Sequence, residues 1–389
     1  MVDVLLIALR VGVIALGLFM AGGTLLSLSR HPHWFIRGWD FPRVLIGAFA
    51  IFAGATYALV PFGPETWTLW EIAFLVAVGA CVAWQAYKIY PYTPLASKAV
   101  QRAERPPDGR SLRLVASNVE MENDMHDRWL EVVRDADPDL ILALEVNERW
   151  MQHIEVLEED YPHVVREPQD NYYGMVLFSR YEILDHEVRF IVQDDVPSIR
   201  VEVQLPCGQT IYMHGVHPRP PEPLRDQDST PRDAEVVLLA REIDEQEEQR
   251  PTIIAGDFND VAWSHTSELF QRLSQLLDPR RGRGLYNSFD AKNPIFRFPL
   301  DHVFHSNHFK LLNLKLLDYV GSDHFPVFIE LSYEPDAPVE QGKPDAAPGE
   351  QEEADDKVER ATEEVENDTL PDEEVPDDAR AATDEHKPS

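Results

Sequence analysis

The chain has 389 residues, 44% of them hydrophobic, with 35 Lys and Arg against 68 Asp and Glu and a net charge of −33. That length leaves room for more than one folding unit. Two cysteines, Cys81 and Cys207, exclude a disulfide framework, and no Cys/His spacing suits zinc. The charge is uneven: residues 1–110 hold nine basic and six acidic residues, 111–332 hold 21 and 41, and 333–389 hold five and 21. So acidic a middle region lacks the broad basic face of a non-specific DNA binder.

Three apolar runs, at about 4–28, 44–61 and 68–87, fill the first 90 residues. Each approaches or exceeds the roughly 20 residues that cross a hydrocarbon core. Trp34, Trp39, Trp67, Trp70 and Trp84 lie near their ends, where interfacial anchors belong. A cleaved leader would account for the first run alone, so residues 1–90 are predicted to be a three-helix transmembrane segment. Arg30, Arg37 and Arg43 occupy the first connection, while the second carries Glu65 and no Lys or Arg. Lys88, Lys98, Arg102, Arg105 and Arg110 follow the third run. This asymmetry predicts a multi-pass membrane protein whose C-terminal region is cytoplasmic. Pro91, Pro94, Pro106, Pro107 and Gly109 mark 91–110 as a linker.

Residues 111–332 alternate strand and helix patterns. Strands are expected at Leu112–Ala116 and Pro138–Leu144, near 174–179, 199–205, 210–216, 252–256, 300–305 and 310–318, and at Val327–Leu331. Helices are expected around Arg128–Val133 and at about 231–249. The mixture predicts an α/β domain of a size that one core supports. Beyond 333, Glu, Asp, Pro and Ala dominate, and 333–389 is predicted to be a disordered acidic tail.

The strand ends carry the chemistry. Asn118 follows the first strand and Glu145 the second; singly, each is more often a turn former or cap than a functional residue. His217 ends a strand in which His214 reads as a core residue. Asp257 and Asn259 sit two apart in Gly256-Asp257-Phe258-Asn259, so both can face one cleft. Asp301 opens a strand, and Ser322-Asp323-His324 precedes the last one. No Gly-x-Ser-x-Gly elbow, Walker loop or His-Glu-x-x-His competes with them. Burying so many carboxylates without a cation would cost several kcal/mol each, and a bound Mg²⁺ or Mn²⁺ would relieve the repulsion.

The segments Ser117-Asn118-Val119-Glu120, Leu144-Glu145, His217-Pro218, Gly256-Asp257-Phe258-Asn259, Leu300-Asp301-His302-Val303 and Ser322-Asp323-His324 together resemble the endonuclease/exonuclease/phosphatase family. The resemblance covers about 111–332 and includes Asn171–Arg180, similar to a conserved family strand. Asp257–Ser264 and the three apolar runs are similar to a membrane-anchored bacterial branch, which implies the bacterial inner membrane. It implies a four-layer α/β sandwich, two mixed β-sheets flanked by helices. It also implies that Glu145 is the principal metal carboxylate, with Asn118 and Asp323 as further or water-mediated ligands. Asp257 would orient or deprotonate the attacking water, and Asn259 would hold water and phosphate. His324 would contact the scissile phosphate, with Asp301 fixing its tautomer, and His217 would stabilise the phosphate or the leaving oxygen.

The substrate stays open at this level. Arg219, Arg281, Arg283 and Arg297 could line a phosphate-rich cleft, or be solvated surface. A short tether to the bilayer favours a lipid headgroup, and a nuclease anchored for DNA processing is the rival. A membrane-anchored binding module without turnover is the alternative of a different class. Nothing in the sequence calls for an obligate protein partner.

Overall fold

The computed structural model describes residues 2–60, 68–104, 109–221, 228–245, 250–344 and 346–366. Three long helices come first: α1 (Val2–Leu26), α3 (Arg43–Leu59) and α4 (Leu69–Ile89), with a one-turn helix α2 (Trp34–Arg37) between the first two. They match the three apolar runs. Asp3–Leu26 and Leu69–Tyr92 are each long and apolar enough to cross a membrane. With 17 residues, α3 is shorter than a usual span, and Trp34–Asp40 bends 73° away from it. Arg10, a charge inside the first run, is paired across the bundle with Glu71 at 2.6 Å and Tyr57 at 3.0 Å.

Two sheets follow. The first runs in the order β10–β11–β1–β2–β4–β3, and the second β5–β6–β7–β8–β9. In the first sheet these are β1 (Ser111–Asn118), β2 (Leu140–Leu144), β3 (His163–Glu167), β4 (Met175–Ser179), β10 (Phe309–Leu316) and β11 (Val327–Tyr333). In the second they are β5 (Ile183–Phe190), β6 (Pro197–Gln204), β7 (Thr210–Val216), β8 (Thr252–Asp257) and β9 (Asp301–His305). β1 pairs with β2 in parallel, and β7 likewise with β8; the other pairs are antiparallel. Alternate apolar side chains, among them Leu114, Leu142, Leu177, Val201, Met213 and Ile253, form the dry layer between the sheets.

Helices cover both outer faces. α5 (His126–Ala136) and α6 (Glu148–Ile154) bury Trp129, Val133 and Trp150 against one sheet. α7 (Thr230–Asp244) and α8 (His265–Ser274) bury Val237, Leu269 and Phe270 against the other. The helix starts are legible chemistry: Asn147 and Ser264 accept from backbone N–H groups three residues on, at 3.1 and 2.9 Å. The result is the expected α/β sandwich. β3, β5, α6 and α8 were not anticipated; β5 is largely solvent-facing, and its charged pattern hides it.

Two expectations are corrected. The acidic segment after 333 is not wholly disordered, because α9 (Ala337–Glu340) and α10 (Glu350–Glu366) lie within it. α10 packs on α7 and α8 through ion pairs that composition alone does not reveal: Lys357 with Asp233 of α7 at 2.7 Å and Glu350 with Arg272 of α8 at 2.6 Å. Residues 367–389 lie outside the described residues. The part of the 91–110 stretch that is described, 91–104 and 109–110, is not a free tether either, and 105–108 lie outside the described residues. Tyr92 is buried and donates to Ala262 O, Val100 is fully buried, and Ala103 N donates to Leu311 O at 3.0 Å.

Candidate active site

The parallel alignment of β1 with β2, and of β7 with β8, brings the carboxyl ends of four strands to one edge of the sandwich. Asn118 closes β1, Glu145 follows β2, His217 follows β7 and Asp257 closes β8. The antiparallel neighbour β9 begins there, so that Asp301 sits opposite Asp257 in the register. His324 arrives on the turn before β11. Gly256 enforces the approach of β8 to β7: at φ +149° its Cβ would lie 1.9 Å from Val216 O. Glu145 (φ 63°) and Asn259 (φ 50°) are left-handed, a conformation that costs roughly 1–3 kcal/mol and concentrates at functional sites.

Asn118 links the two central carboxylates. Its Nδ2 donates to Glu145 Oε1 at 2.8 Å and to Asp257 Oδ2 at 3.3 Å, while its Oδ1 accepts from Glu120 N at 3.0 Å. The amide thus faces the carboxylates with its nitrogen, ordering them. Glu145 Oε2 accepts from Met121 N at 3.2 Å. On the other side His324 Nδ1 meets Asp301 Oδ2 at 2.7 Å, and His324 Nε2 lies 3.4 Å from Asp257 Oδ2. His217 Nε2 is 3.8 Å from the same Asp257 oxygen. Asn259 is fixed at three points. Its N donates to Asp257 Oδ1 at 2.8 Å, its Nδ2 to Pro218 O at 3.0 Å, and its carbonyl accepts from Arg232 at 2.7 Å.

The electrostatics separate the two histidines. Burial alone would lower the His324 pKa, but the carboxylates of Asp301 and Asp257 outweigh it and push it up to about 10. Burial holds His217 below its ordinary value, only partly offset by Asp257. One ring is therefore an imidazolium and the other a neutral imidazole at pH 7. Burial likewise pushes Glu145 up to about 7, against the pull of Asn118 and His324. An anion so reluctant to ionise in its own pocket fits a divalent cation as the missing counter-charge.

Asp257, Asp301 and His324 bring their ligand-capable atoms within 4.8 Å of one another. The short Asp301–His324 contact places a proton between those two, so Glu145 and the Asp257 oxygens on its side are the donors left for a cation. Asp323 stands at the rim, its Oδ1 4.0 Å from His324 Nε2 and its N donating to Glu120 Oε2 at 3.1 Å.

A cleft of about 660 Å³ opens over this group, lined by Glu145, His217, Asp257, Asn259, Asp323 and His324. The same cavity takes in Asp170, Asn171, Tyr172, Tyr173, Asp195 and Phe289, none of which was singled out beforehand as a site residue. Of the four arginines expected at a phosphate, Arg219 alone lines it. It is held by Asp195 and lies over the Tyr173 ring, 4.9 Å from its centroid. Arg281 reaches Gln271 at 3.4 Å, and Arg283 donates to Val100 O at 2.6 Å, both away from the cleft. Arg297 lies over Phe325 and donates to the carbonyls of Asn293 and Ala291. The reason is local: Arg280 is buried against Asp278 at 2.8 Å, which turns the basic loop toward the segment that leaves α4.

The model of the Endonuclease/Exonuclease/phosphatase family matches residues 115–324, more than half of the chain. The chain belongs to the endonuclease/exonuclease/phosphatase family. Membership makes it a hydrolase of phosphate esters, in a family that is generally divalent-metal dependent. Comparison with curated proteins finds no match. Among solved structures, D. rerio TDP2 complexed with single-strand DNA product is similar at 16% identity, covering 57% of this chain and 99% of that one, with a TM-score of 0.49. A family protein from Bacteroides vulgatus gives 17%, 58%, 99% and 0.48. The human Nocturnin catalytic domain with bound sulfate gives 15%, 62%, 99% and 0.48.

Proposed function

We propose that this phosphoesterase is anchored in a membrane and hydrolyses the headgroup ester of a bilayer phospholipid, with Mg²⁺ or Mn²⁺ as cofactor. The carrying observation is a chain of rings from the cleft to the apolar helices. Phe289, in the cleft wall, lies 4.9 Å from the His324 ring and pairs by backbone with Phe298. Phe298 lies 5.7 Å from Phe41, just ahead of α3. The same loop, tied to Asp290 next to Phe289 by Phe296 O at 3.3 Å, exposes Ile295 (66%) and Phe296 (52%), an apolar lip of the kind that enters an interface.

The ends of α1 and α4 and the start of α3 all face the catalytic domain: Ser229 N donates to Pro32 O, Trp263 Nε1 to Asp40 O, and Lys88 pairs with Glu268. Arg30, Arg37, Arg43 and Lys88 are on that side, which supports a multi-pass bacterial inner-membrane protein with a cytoplasmic cleft. Arg219, engaged by Asp195, is the sole Lys or Arg among the described residues lining the cleft. A long polyanion would find little to grip there.

In this reading Glu145 would hold the cation, with Asn118 ordering the Glu145 carboxylate and Asp323 as a further or water-mediated ligand. The bound cation would neutralise the buried carboxylates and stabilise charge on the phosphorane oxygens. Asp257 takes the proton of the attacking water. Asn259 orients that water, held in turn by Arg232 and Pro218. His324, kept charged by Asp301, donates to a phosphate oxygen, and neutral His217 donates toward the phosphate or the leaving oxygen.

The test offers the full-length protein phospholipid vesicles, plasmid DNA and bis-p-nitrophenyl phosphate. Vesicle hydrolysis is expected, and Ile295→Asp/Phe296→Asp should lose it while retaining the soluble chromogenic activity. DNA cleavage without lipid turnover would favour the nuclease reading, and binding without turnover of any substrate the non-catalytic module.

A further inference from the structure

The basic loop Arg280–Arg283 is not part of the catalytic site, yet it is built into something else. Gly282 N donates to Pro91 O at 2.8 Å, and Ala99 N to Arg281 O at 3.4 Å, so the loop is strapped to the segment leaving α4. The strap is close: Gly282 has φ +77°, and a Cβ on it would lie 2.7 Å from the backbone of Lys98. Arg283 is pinned by its bonds to the carbonyls of Val100 and Pro279. Between strap, loop and the edge strand β10 lies a groove of about 430 Å³, whose lining includes Pro94, Lys98, Arg102, Arg283, Tyr286 and Asn313.

Three features of this groove point to an anion. It holds three cationic side chains, and no carboxylate lines it, in a chain of net charge −33. Among the described residues neither Lys98 nor Arg102 has a hydrogen-bond or ion-pair partner for its side chain, although most other basic residues of the domain are paired. Burial, with Arg102 beside it, lowers the Arg283 pKa, an effect that Tyr286 only partly offsets. Its location fits one source of anions. The apolar span ends at Tyr92, two residues before Pro94 opens the groove, a separation of at most about 7 Å along the chain. Leu95, next to Pro94, is 83% exposed, and Tyr87 and Tyr90 are exposed on the last turns of the span.

We propose that this groove binds the headgroup of an anionic phospholipid from the bilayer that the helices cross. The inference rests on the membrane reading above but not on the lipid being the substrate, since the groove and the catalytic cleft share no lining residue. Phosphate takes the N–H groups of Lys98, Arg102 and Arg283, while Leu95 contacts the acyl boundary. Bound lipid then fixes the strap, and with it the tilt of the catalytic domain on its helices.

The experiment begins with carbonate extraction of membranes containing the full chain. The detergent-solubilised protein is then titrated with dioctanoyl phosphatidylglycerol, dioctanoyl phosphatidylcholine and inorganic phosphate, read by native mass spectrometry. Phosphatidylglycerol should bind at least tenfold tighter than either of the others. Lys98→Glu/Arg102→Glu should weaken it about thirtyfold, following roughly 1 kcal/mol per basic side chain at an anionic surface. Both positions are exposed, so the variant should keep its bis-p-nitrophenyl phosphate activity. Extraction by carbonate would overturn the membrane reading and the site together. A membrane-retained chain with no phosphatidylglycerol preference, or with one that the variant keeps, would overturn the site alone. Phosphate binding as tightly as phosphatidylglycerol would overturn the lipid as its occupant.

Discussion

Arg232 donates to the backbone carbonyl of Asn259 at 2.7 Å from a fully buried position on α7. The same guanidinium pairs with Asp233 at 2.8 Å and lies 3.4 Å from Asp260. Asp233 in turn is met by Arg37 ahead of α3 and by Lys357 of α10. One buried ion cluster therefore joins the Asn259 turn, the short helix α2 and the C-terminal helix α10.

Replacing Arg232 should disturb the turn more than the cleft. Arg232→Met leaves Asp233 and Asp260 buried with fewer partners, and breaking such a pair costs about 3–5 kcal/mol. Thermal melting should register that loss, and kcat should fall about tenfold or more, with KM changed less. Arg232→Lys should recover part of both. Wild-type kcat in a folded Arg232→Met protein would remove Arg232 from the positioning of Asn259.

Lys357 tests whether α10 is part of the fold. Its partner Asp233 is held well below the carboxylate range because Lys357, Arg232 and Arg37 together outweigh its burial. Lys357→Ala should lower the melting temperature at pH 7. A group with a depressed pKa contributes stability above its ordinary 3.8 and loses it as pH falls below that. The difference between wild type and variant should therefore shrink in acid. Identical melts at pH 7 would mean that α10 does not stay docked.

Glu235 titrates the other way. It is buried, its Oε1 lacks a hydrogen-bond partner among the described residues, and burial pushes its pKa up to about 8. The protonated form is the one the fold accommodates, so its contribution is complete below the ordinary 4.5 and disappears as pH rises to about 8. Glu235→Gln, neutral throughout, should lose less stability than wild type between pH 5 and pH 8, by a few kcal/mol at most. Parallel denaturation curves across that range would contradict a buried protonated Glu235.

Asp301 keeps His324 charged. Asp301→Asn removes the first carboxylate that raises the His324 pKa, so the alkaline limb of the pH–rate profile should move to lower pH. A loss of about a hundredfold in kcat is expected, in the range of a misplaced acid–base group. An unmoved alkaline limb would mean that a charged His324 is not what holds the phosphate oxygen.

The site was more legible in the sequence than its surroundings. Asn118, Glu145, His217, Asp257, Asp301 and His324 each end or begin an apolar strand, and strand ends survive errors in strand pairing. The cleft wall was not legible, because Asp195 and Phe289 sit in irregular loops that only the tertiary structure brings together. Charge alone points Arg281 and Arg283 toward the cleft, whereas Arg280 and Gly282 turn them to the segment that leaves α4. In the acidic tail, composition argues for disorder, but Lys357 finds the buried Asp233 on α7 and Glu350 finds Arg272 on α8, counter-charges that no local pattern encodes.

The most direct measurement is hydrolysis of bis-p-nitrophenyl phosphate by the full-length protein, with and without divalent metal, for wild type and Glu145→Gln. Turnover should require Mg²⁺ or Mn²⁺, stop on chelation, and fall by about a thousandfold in the variant, roughly 4 kcal/mol of barrier. Turnover that survives chelation, or that Glu145→Gln carries out at the wild-type rate, would contradict a metal-dependent phosphoesterase centred on Glu145.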